Sequence, residues 1–342
     1  MREIKSKKRG FITKIFIKLC RIFGFEIVDQ SDFSIPTSNK SLNDSISIPG
    51  KSSVNFPLGK VDITRPVKSL DIILRTCMSV NMLTQSKKRI FDKDKEEYTF
   101  RTLKSLIKNI HHSKNIFKNI KYKIYIIDHN STNEQLGSMR DMLKKSNTDF
   151  EILNLKFNEF SSQIKNINEE NKQVTLNQKS NMSNIHQSLL ISRDKCEDLT
   201  YFVEDDYIHD QISLSEMLYA YERIASLTKK ELIICPTDYP YLYTQNEDAK
   251  IFLGEKRHWR TVDQTLCTFL TSKKIIEKYW NELISMCKFE HYPFEKPLHK
   301  IYSKELCISP IPSLALHLTN INSVYGLSPN VDWKKIWDQN EK

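Results

Sequence analysis

Residues 199–207 read Leu-Thr-Tyr-Phe-Val-Glu-Asp-Asp-Tyr, an apolar run that ends in three consecutive acids. The β-branched and aromatic residues of this run predict a buried strand. Other apolar runs precede and follow it, and helical patterns separate them. Strands that alternate with helices predict right-handed crossovers and a mostly parallel sheet. We therefore expect an α/β fold in which helices flank the sheet.

This alternation begins near residue 70 and continues through most of the chain. Strands are predicted at 70–74, 122–127, 150–153, 199–203 and 231–235, and the apolar run at 265–270 continues the sheet. Helices are predicted at 98–113, 133–145, 182–196, 213–227 and 297–302. The chain divides by composition into a basic amphipathic helix (1–28), a polar linker or arm (29–69), a catalytic domain (70–330) and a C-terminal tail (331–342).

Charge and glycine content exclude several classes of protein. The chain has 342 residues, and its 52 Lys and Arg against 42 Asp and Glu give a net charge of +10. Eight basic residues and one acid fall within residues 1–24, so the basicity is mostly N-terminal and no nucleic-acid surface is predicted. Neither Gly-x-Gly-x-x-Gly nor Gly-x-x-x-x-Gly-Lys occurs, which argues against most dehydrogenases and P-loop enzymes.

The N-terminal helix and the cysteines bear on location. Lys14, Lys18 and Arg21 recur at helical spacing within residues 11–23, and apolar residues fill the other side. Docking on an anionic membrane surface and packing against protein both explain this pattern. The 7 cysteines are scattered without a Cys-x-x-Cys pair, and no secretory or membrane-spanning segment is recognised. We expect a cytoplasmic protein, or one bound peripherally to the inner face of the membrane.

The acid triplet Glu204-Asp205-Asp206 is the strongest chemical signal in the sequence. Ligands of open α/β sheets bind at the carboxyl ends of the strands, where this triplet is predicted to lie. Adjacent carboxylates repel one another unless a cation is near, and oxygen ligands favour Mg²⁺ or Mn²⁺. A solvated acidic turn is the alternative.

Three stretches in order resemble the GT-A-type glycosyltransferases of the inverting family two: Leu-Asp-Ile-Ile-Leu-Arg-Thr (70–76), Tyr-Ile-Ile-Asp-His-Asn-Ser-Thr (125–132) and Tyr-Phe-Val-Glu-Asp-Asp-Tyr (201–207). The resemblance implies a GT-A-like fold over residues 70–330, with Thr76 at the strand end beside the nucleotide and Asp128 on its base. It also implies that Asp206, together with Glu204 or Asp205, holds the metal on the donor diphosphate. Because the motif is Glu-Asp-Asp and not Asp-x-Asp, the choice between these two carboxylates stays open.

The same resemblance suggests further site residues on later elements. Asn184 would bond a sugar hydroxyl or phosphate and Arg193 would offset charge, although capping of the helix by nearby residues explains the pattern equally well. His317 would be a late metal ligand, or else a hydrogen-bonded core residue. The general base for an acceptor hydroxyl would be Glu295, with Asp263 as the second candidate.

Taken together, these features predict a metal-dependent, inverting glycosyltransferase. Its partners would be a nucleotide-sugar donor and a glycan, lipid-linked or surface-polymer acceptor. A group of aromatic and basic residues could contact the acceptor, by stacking on a sugar ring or pairing with phosphate: Tyr239, Tyr241, Tyr243, Arg257, His258, Trp259 and Arg260. A nucleotidyltransferase or metal phosphohydrolase, and a non-catalytic glycan-binding protein, are the alternatives.

Overall fold

The computed structural model of the chain describes residues 10–25, 62–79, 90–91, 93–243, 248–318, 327–328 and 330–341. Most of the predicted arm, residues 29–61, lies outside these ranges. The chain forms two compact units, residues 1–62 and 63–342.

In the first unit, a helix α1 covers Phe11–Ile22 and confirms the predicted helix. Most of its apolar side chains are exposed, including Phe11 and Ile12, while Ile17 is buried. Lys14, Lys18 and Arg21 are exposed as well. None of the described helices combines the length and apolar character that crossing a bilayer requires.

The described part of the second unit contains eleven strands. They are β1 (Ser69–Thr76), β2 (Lys121–Asp128), β3 (Phe150–Asn154), β4 (Leu199–Glu204), β5 (Tyr207–His209), β6 (Leu232–Ile234), β7 (Ile251–Leu253), β8 (His258–Thr261), β9 (Phe269–Ser272), β10 (Leu306–Ile311) and β11 (Ala315–His317). Nine of them form one sheet in the order β3-β2-β1-β4-β9-β6-β10-β8-β7, and β5 pairs with β11 in a separate small sheet.

Strand direction in the large sheet is mostly uniform. Strand β9 is antiparallel to both of its neighbours, β4 and β6, and β8 is antiparallel to both β10 and β7. All other described neighbours are parallel. Every strand of the large sheet except β8 and β9 therefore runs the same way, which confirms the predicted mostly parallel sheet. The carboxyl ends of β1, β2, β4 and β6 meet at one edge.

Helices cover both faces of this sheet. They are α2 (Lys95–Ile116), α3 (Asn133–Lys145), α4 (Phe157–Ser161), α5 (Leu176–Lys195), α6 (Ser213–Thr228), α7 (Lys273–Lys278), α8 (Trp280–Lys288), α9 (Lys296–Tyr302) and α10 (Trp333–Gln339), with a short 3₁₀ helix at Pro240–Tyr243. Helix α3 begins at the predicted residue because Thr132 and Gln135 form a capping box.

The core lies on both faces because the central strand β1 is buried throughout. Leu70, Ile72 and Leu74 belong to one apolar cluster, which is covered by α2, α3 and α6. Ile73 points to the opposite face, where α5, α7, α8 and α9 supply a second cluster. A strand buried on both sides is expected to read as a continuous apolar run, which is how residues 70–74 read.

Residues just before and just after the predicted catalytic domain also belong to the second unit. Arg65, which falls in the predicted arm, forms ion pairs with Asp198 at 2.5 Å and Glu231 at 3.0 Å. In the predicted C-terminal tail, α10 places Trp337 against Phe91, and the ring centroids lie 4.0 Å apart. Both segments therefore contribute to the folded unit.

Candidate functional site

Polar residues end three adjacent strands at the same edge of the sheet. Thr76 at the end of β1 is paired with Asp128 at the end of β2. On its other side, β1 pairs Arg75 with Glu204 at the end of β4. The parallel register thus brings together the strand ends that the sequence had singled out separately.

Asp128 is held by hydrogen bonds from its neighbours. Its Oδ1 accepts the hydroxyl of Thr76 at 2.7 Å and that of Ser131 at 2.6 Å, and its Oδ2 accepts the Ser131 amide at 3.0 Å. The residue is 3% exposed. The structure therefore joins Thr76 and Asp128 in one network and fixes the loop that follows β2.

The first acid of the triplet faces a cation supplied by the protein. Glu204 Oε1 lies 2.9 Å from the guanidinium of Arg75, which is buried. Arg75 also donates to Oδ1 of Asn181 at 2.8 Å, and the Thr268 hydroxyl lies 3.4 Å from Glu204 Oε2. Arg75 was predicted only as part of a strand end, because its partners come from a different strand and helix.

Asp205, the second acid, points into a different set of partners. Its Oδ2 accepts the Cys77 amide at 3.1 Å and the Thr99 hydroxyl at 3.2 Å, and Lys95 Nζ lies 3.4 Å away. Burial raises the pKa of Asp205, and Lys95 opposes this shift. Lys95 and Thr99 lie in the first turns of α2, and no sequence signal marked them as partners of the triplet.

Asp206, the third acid, contacts His317, which the sequence suggested as a late metal ligand. Asp206 Oδ2 lies 3.2 Å from Nε2 of His317. The β5–β11 pairing places Tyr207 opposite His317, and the two rings stack with centroids 4.8 Å apart. The Tyr207 hydroxyl in turn bonds that of Tyr239 at 2.7 Å. A short sheet that was not predicted therefore fixes the contact.

These contacts show which donors suit a divalent cation. Within the described ranges, no group of three or more His, Cys, Asp or Glu side chains is arranged to hold a metal ion. Asp206 and His317 supply one carboxylate oxygen and one imidazole nitrogen at the same place, whereas Glu204 and Asp205 face Arg75 and Lys95. Mg²⁺ commonly takes one or two carboxylates and completes its shell with water and substrate phosphates. The pair fits such a partly protein-bound ion.

Glu295 occupies the N-cap position of α9, where its side chain makes no capping hydrogen bond, and the charges of Glu204 and His317 act on it. Burial raises the pKa of its carboxyl to about 7, and the charge of Glu204 adds to the shift while His317 opposes it. The Cys267 thiol lies 3.9 Å from its Oε1. A carboxyl with a pKa near neutrality can exchange a proton under physiological conditions.

The remaining predicted residues do not all lie at this edge of the sheet. Asn184 is buried and donates to the Ile127 carbonyl at 3.1 Å, so it joins α5 to the end of β2. Arg193 is not brought to this edge: it pairs with Asp194 and stacks over Trp280, and roughly 18 Å of helix separates it from Asn181. Asp263 is exposed in the loop between β8 and β9.

An open cleft lies beside Asp128, between the loops that follow β2 and β3. It has a volume of about 450 Å³ and is lined by His129, Asn130, Leu155, Lys156, Phe157, Asn158 and Glu159. His129 stacks on Phe157 with ring centroids 5.2 Å apart, and its Nδ1 lies 2.5 Å from the Ser180 hydroxyl. Neither aromatic residue was predicted as part of a site.

No family model and no curated protein sequence matches the chain. Among solved structures, the galactosyltransferase LgtC in complex with donor and acceptor sugar analogues shares 9% identity and a TM-score of 0.39, over 79% of this chain and 94% of that one. A UDP-glucose pyrophosphorylase complexed with UDP-glucose shares 7% identity and a TM-score of 0.39, over 80% and 98%. TarS of S. aureus shares 11% identity and a TM-score of 0.34 over 62% of this chain, which spans only 29% of TarS. These values are too low to assign a family or an activity.

Proposed function

We propose that the protein is a GT-A-like glycosyltransferase that moves a sugar from a nucleotide-diphosphate donor to a hydroxyl group of a glycan, lipid-linked or surface-polymer acceptor. One observation carries the proposal: Thr76, Asp128, the Asp206–His317 pair and Glu295 belong to a single polar edge of a mostly parallel sheet. Ligands of open α/β sheets bind at such edges.

The donor would lie along the ends of β1, β2 and β4. The cleft at His129 and Phe157 offers stacked aromatic rings to a nucleobase. Asp206 and His317 would hold Mn²⁺ or Mg²⁺, which when bound neutralises charge on the departing diphosphate. Asn184 would act by fixing α5 against β2.

Glu295 is the proposed base. Its carboxylate takes the proton of the acceptor hydroxyl, the acceptor oxygen bonds to the anomeric carbon, and the bond from that carbon to the diphosphate breaks with its electron pair. A single displacement of this kind inverts the anomeric centre. Asp263 is the second candidate base, but it is exposed to water.

Thermal shift with nucleotide diphosphates and their sugars, with and without Mn²⁺, tests donor binding. A ligand at one hundred times its Kd stabilises the fold by about 2.7 kcal/mol. We expect Asp206→Ala to abolish the metal-dependent part of the shift. Glu197→Gln is the matched control, because this acid pairs with Lys121 on the surface at the start of β4, away from the site. An unchanged metal-dependent shift in Asp206→Ala would refute the assignment.

Product analysis separates the proposed reaction from its alternatives. Release of a nucleoside diphosphate with formation of a new glycoside supports glycosyl transfer, and proton NMR of the product reports its anomeric configuration. Release of pyrophosphate identifies a nucleotidyltransferase, and free phosphate without a glycoside identifies a phosphohydrolase. Donor binding without turnover of any hydroxyl acceptor identifies a glycan-binding protein.

We further propose that α1 docks on anionic lipid, which would bring the enzyme to a lipid-linked acceptor at the inner face of the membrane. The helix exposes Phe11, Ile12 and Phe16 as well as Lys14 and Lys18. Each cation near an anionic surface contributes about 1 kcal/mol. All 7 cysteines fall within the described ranges, and none forms a disulfide.

Flotation of the full chain with phosphatidylglycerol vesicles tests this docking. We expect binding that is lost in vesicles of phosphatidylcholine alone and reduced when Lys14 and Lys18 are both changed to Ser. The matched control changes Lys144 and Lys145, two lysines near the end of α3, to Ser. Equal flotation with both kinds of vesicle would contradict the proposal.

A further inference from the structure

Three tyrosines follow β6 at the site edge, and the structure separates one from the other two. Tyr239 is 0% exposed and Tyr241 is 6% exposed, so both rings are packed inside the protein. Tyr243 is 52% exposed. The sequence predicts the same candidate role for all three, as contacts for a sugar. Because a sugar can reach only an exposed ring, Tyr243 is the one of the three that fits this role.

The exposed ring of Tyr243 is held in place by buried charge. Its hydroxyl donates to Oδ2 of Asp238 at 2.5 Å, and the Arg260 guanidinium lies 4.6 Å from the ring centroid. Arg260 in turn contacts Oδ1 of Asp238 at 2.6 Å. The Arg260 guanidinium therefore packs against the Tyr243 ring, and the Asp238 carboxylate holds its hydroxyl.

Asp238 is itself fixed to the protein. It is 0% exposed, its amide donates to the Ser313 hydroxyl at 2.8 Å, and its carbonyl accepts the Ser328 hydroxyl at 2.6 Å. A side chain on the surface normally samples several rotamers, and ordering it on binding costs conformational entropy. For Tyr243 much of this ordering is already present in the free protein.

Tyr243 also lies on the proposed catalytic edge. Strand β6 runs in the same direction as β4, so the chain leaves both strands at one edge of the sheet. Tyr239, in the same short segment, bonds Tyr207, whose ring stacks on His317. Tyr243 bonds Asp238, the chain neighbour of Tyr239, so the exposed ring is linked to the Asp206–His317 pair through side-chain contacts and one peptide bond.

We propose that Tyr243 is a stacking platform for one pyranose ring of the acceptor. The apolar face of a pyranose packs on an aromatic face, and a ring that is ordered in advance binds at lower entropic cost. The assignment of the bound sugar as an acceptor rests on the proposed transferase activity. Stacking itself requires only the free protein and a sugar, so it is tested without turnover.

The experiment is saturation-transfer difference NMR of the full chain with methyl glucoside, galactoside, mannoside and N-acetylglucosaminide. We expect at least one glycoside to receive saturation on the protons of its apolar face. Tyr243→Ala should lose that signal, whereas Tyr243→Phe should keep part of it because the ring remains but the Asp238 bond is gone. Phe25→Ala, which removes another exposed aromatic ring, should leave the signal unchanged.

Two results would overturn the platform: no signal from any of these glycosides, or an equal signal from wild type and Tyr243→Ala. Circular dichroism of Tyr243→Ala should match wild type, and Tyr243→Phe keeps the test valid if the alanine variant unfolds. A Tyr243-dependent sugar signal in a protein that turns over no nucleotide sugar would support the platform and refute the transferase. Turnover of a nucleotide sugar without a glycoside signal would support the transferase and refute the platform.

Discussion

Asp206 Oδ2 and His317 Nε2 lie 3.2 Å apart although 111 residues separate them in the chain. The contact follows from the pairing of β5 with β11, in which His317 stands opposite Tyr207. The pairing of these two strands therefore sets the distance between the carboxylate and the imidazole that are the proposed metal donors.

His317→Asn should weaken Mn²⁺ binding in the presence of a nucleoside diphosphate by roughly tenfold or more, because it removes the imidazole donor and its contact with Asp206. Electron paramagnetic resonance of free Mn²⁺ measures the affinity. His111→Asn is the control, since His111 is an exposed histidine on α2. Equal affinities in wild type and His317→Asn would show that the pair does not bind the ion.

Glu295→Gln should lower turnover by about 10²- to 10⁴-fold while the donor-induced thermal shift remains, because the amide cannot accept the acceptor proton. The pKa of Glu295 is raised to about 7, and the base must be unprotonated. The kcat/KM of wild type should therefore rise with pH through about 7 and then level. A variant that retained both the rate and this rising limb would exclude Glu295 as the base.

Arg65→Ala should reduce the free energy of unfolding by about 3–5 kcal/mol, since it removes the cation that pairs with Asp198 and leaves Glu231 with Lys274 alone. Urea unfolding measures the change. Lys121→Ala breaks an exposed pair with Glu197 and should cost less than about 1 kcal/mol. Similar losses in the two variants would contradict this view of the Arg65 cluster.

The same cluster predicts a pH dependence of stability. Burial alone would raise the pKa of Glu231, but hydrogen bonds from Arg65, Tyr221 and Lys274 lower it from 4.5 to about 2. A lowered acid pKa means that the unfolded chain binds the proton first. The contribution of Glu231 to the free energy of unfolding should be complete above pH 4.5 and lost as the pH falls toward 2. In Glu231→Gln the urea midpoint should therefore depend less on pH over that range.

Gly254→Ala should destabilise the turn between β7 and β8. A Cβ there would lie 2.8 Å from the Arg257 carbonyl and would also meet Glu216 Oε1, which accepts the Glu255 and Arg257 amides. Gly137→Ala is the opposite case: nothing lies within 4 Å, and the residue is inside α3, so about 1 kcal/mol of stabilisation is expected. Urea unfolding compares the two, and a stable Gly254→Ala would be inconsistent with the close approach.

The long elements could be predicted because their signals are local. The helix at Asn133–Lys145 was predicted to the residue, since its Thr132 cap is written in the sequence. Strands β7, β8 and β11 have no comparable signal, because a segment of only three or four residues forms a strand through its partners in the sheet. The small sheet that fixes His317 was missed for this reason.

The candidate site shows the same limit. The sequence placed the acid triplet at a strand end, but it did not show that Glu204, Asp205 and Asp206 face Arg75, Lys95 and His317 in turn. Those partners come from other elements, and their approach depends on tertiary packing. Arg193 was assigned to the site from its helix, although α5 is long enough to carry that residue to the far edge of the sheet.

The late position of β11 has a consequence for the newly made chain. Synthesis runs from the N-terminus, so β1, β2 and β4 leave the ribosome before the strand that carries His317. Until β11 has emerged and paired with β5, the acids of the triplet are present without the imidazole. A nascent chain therefore lacks the Asp206–His317 contact until β11 has been made.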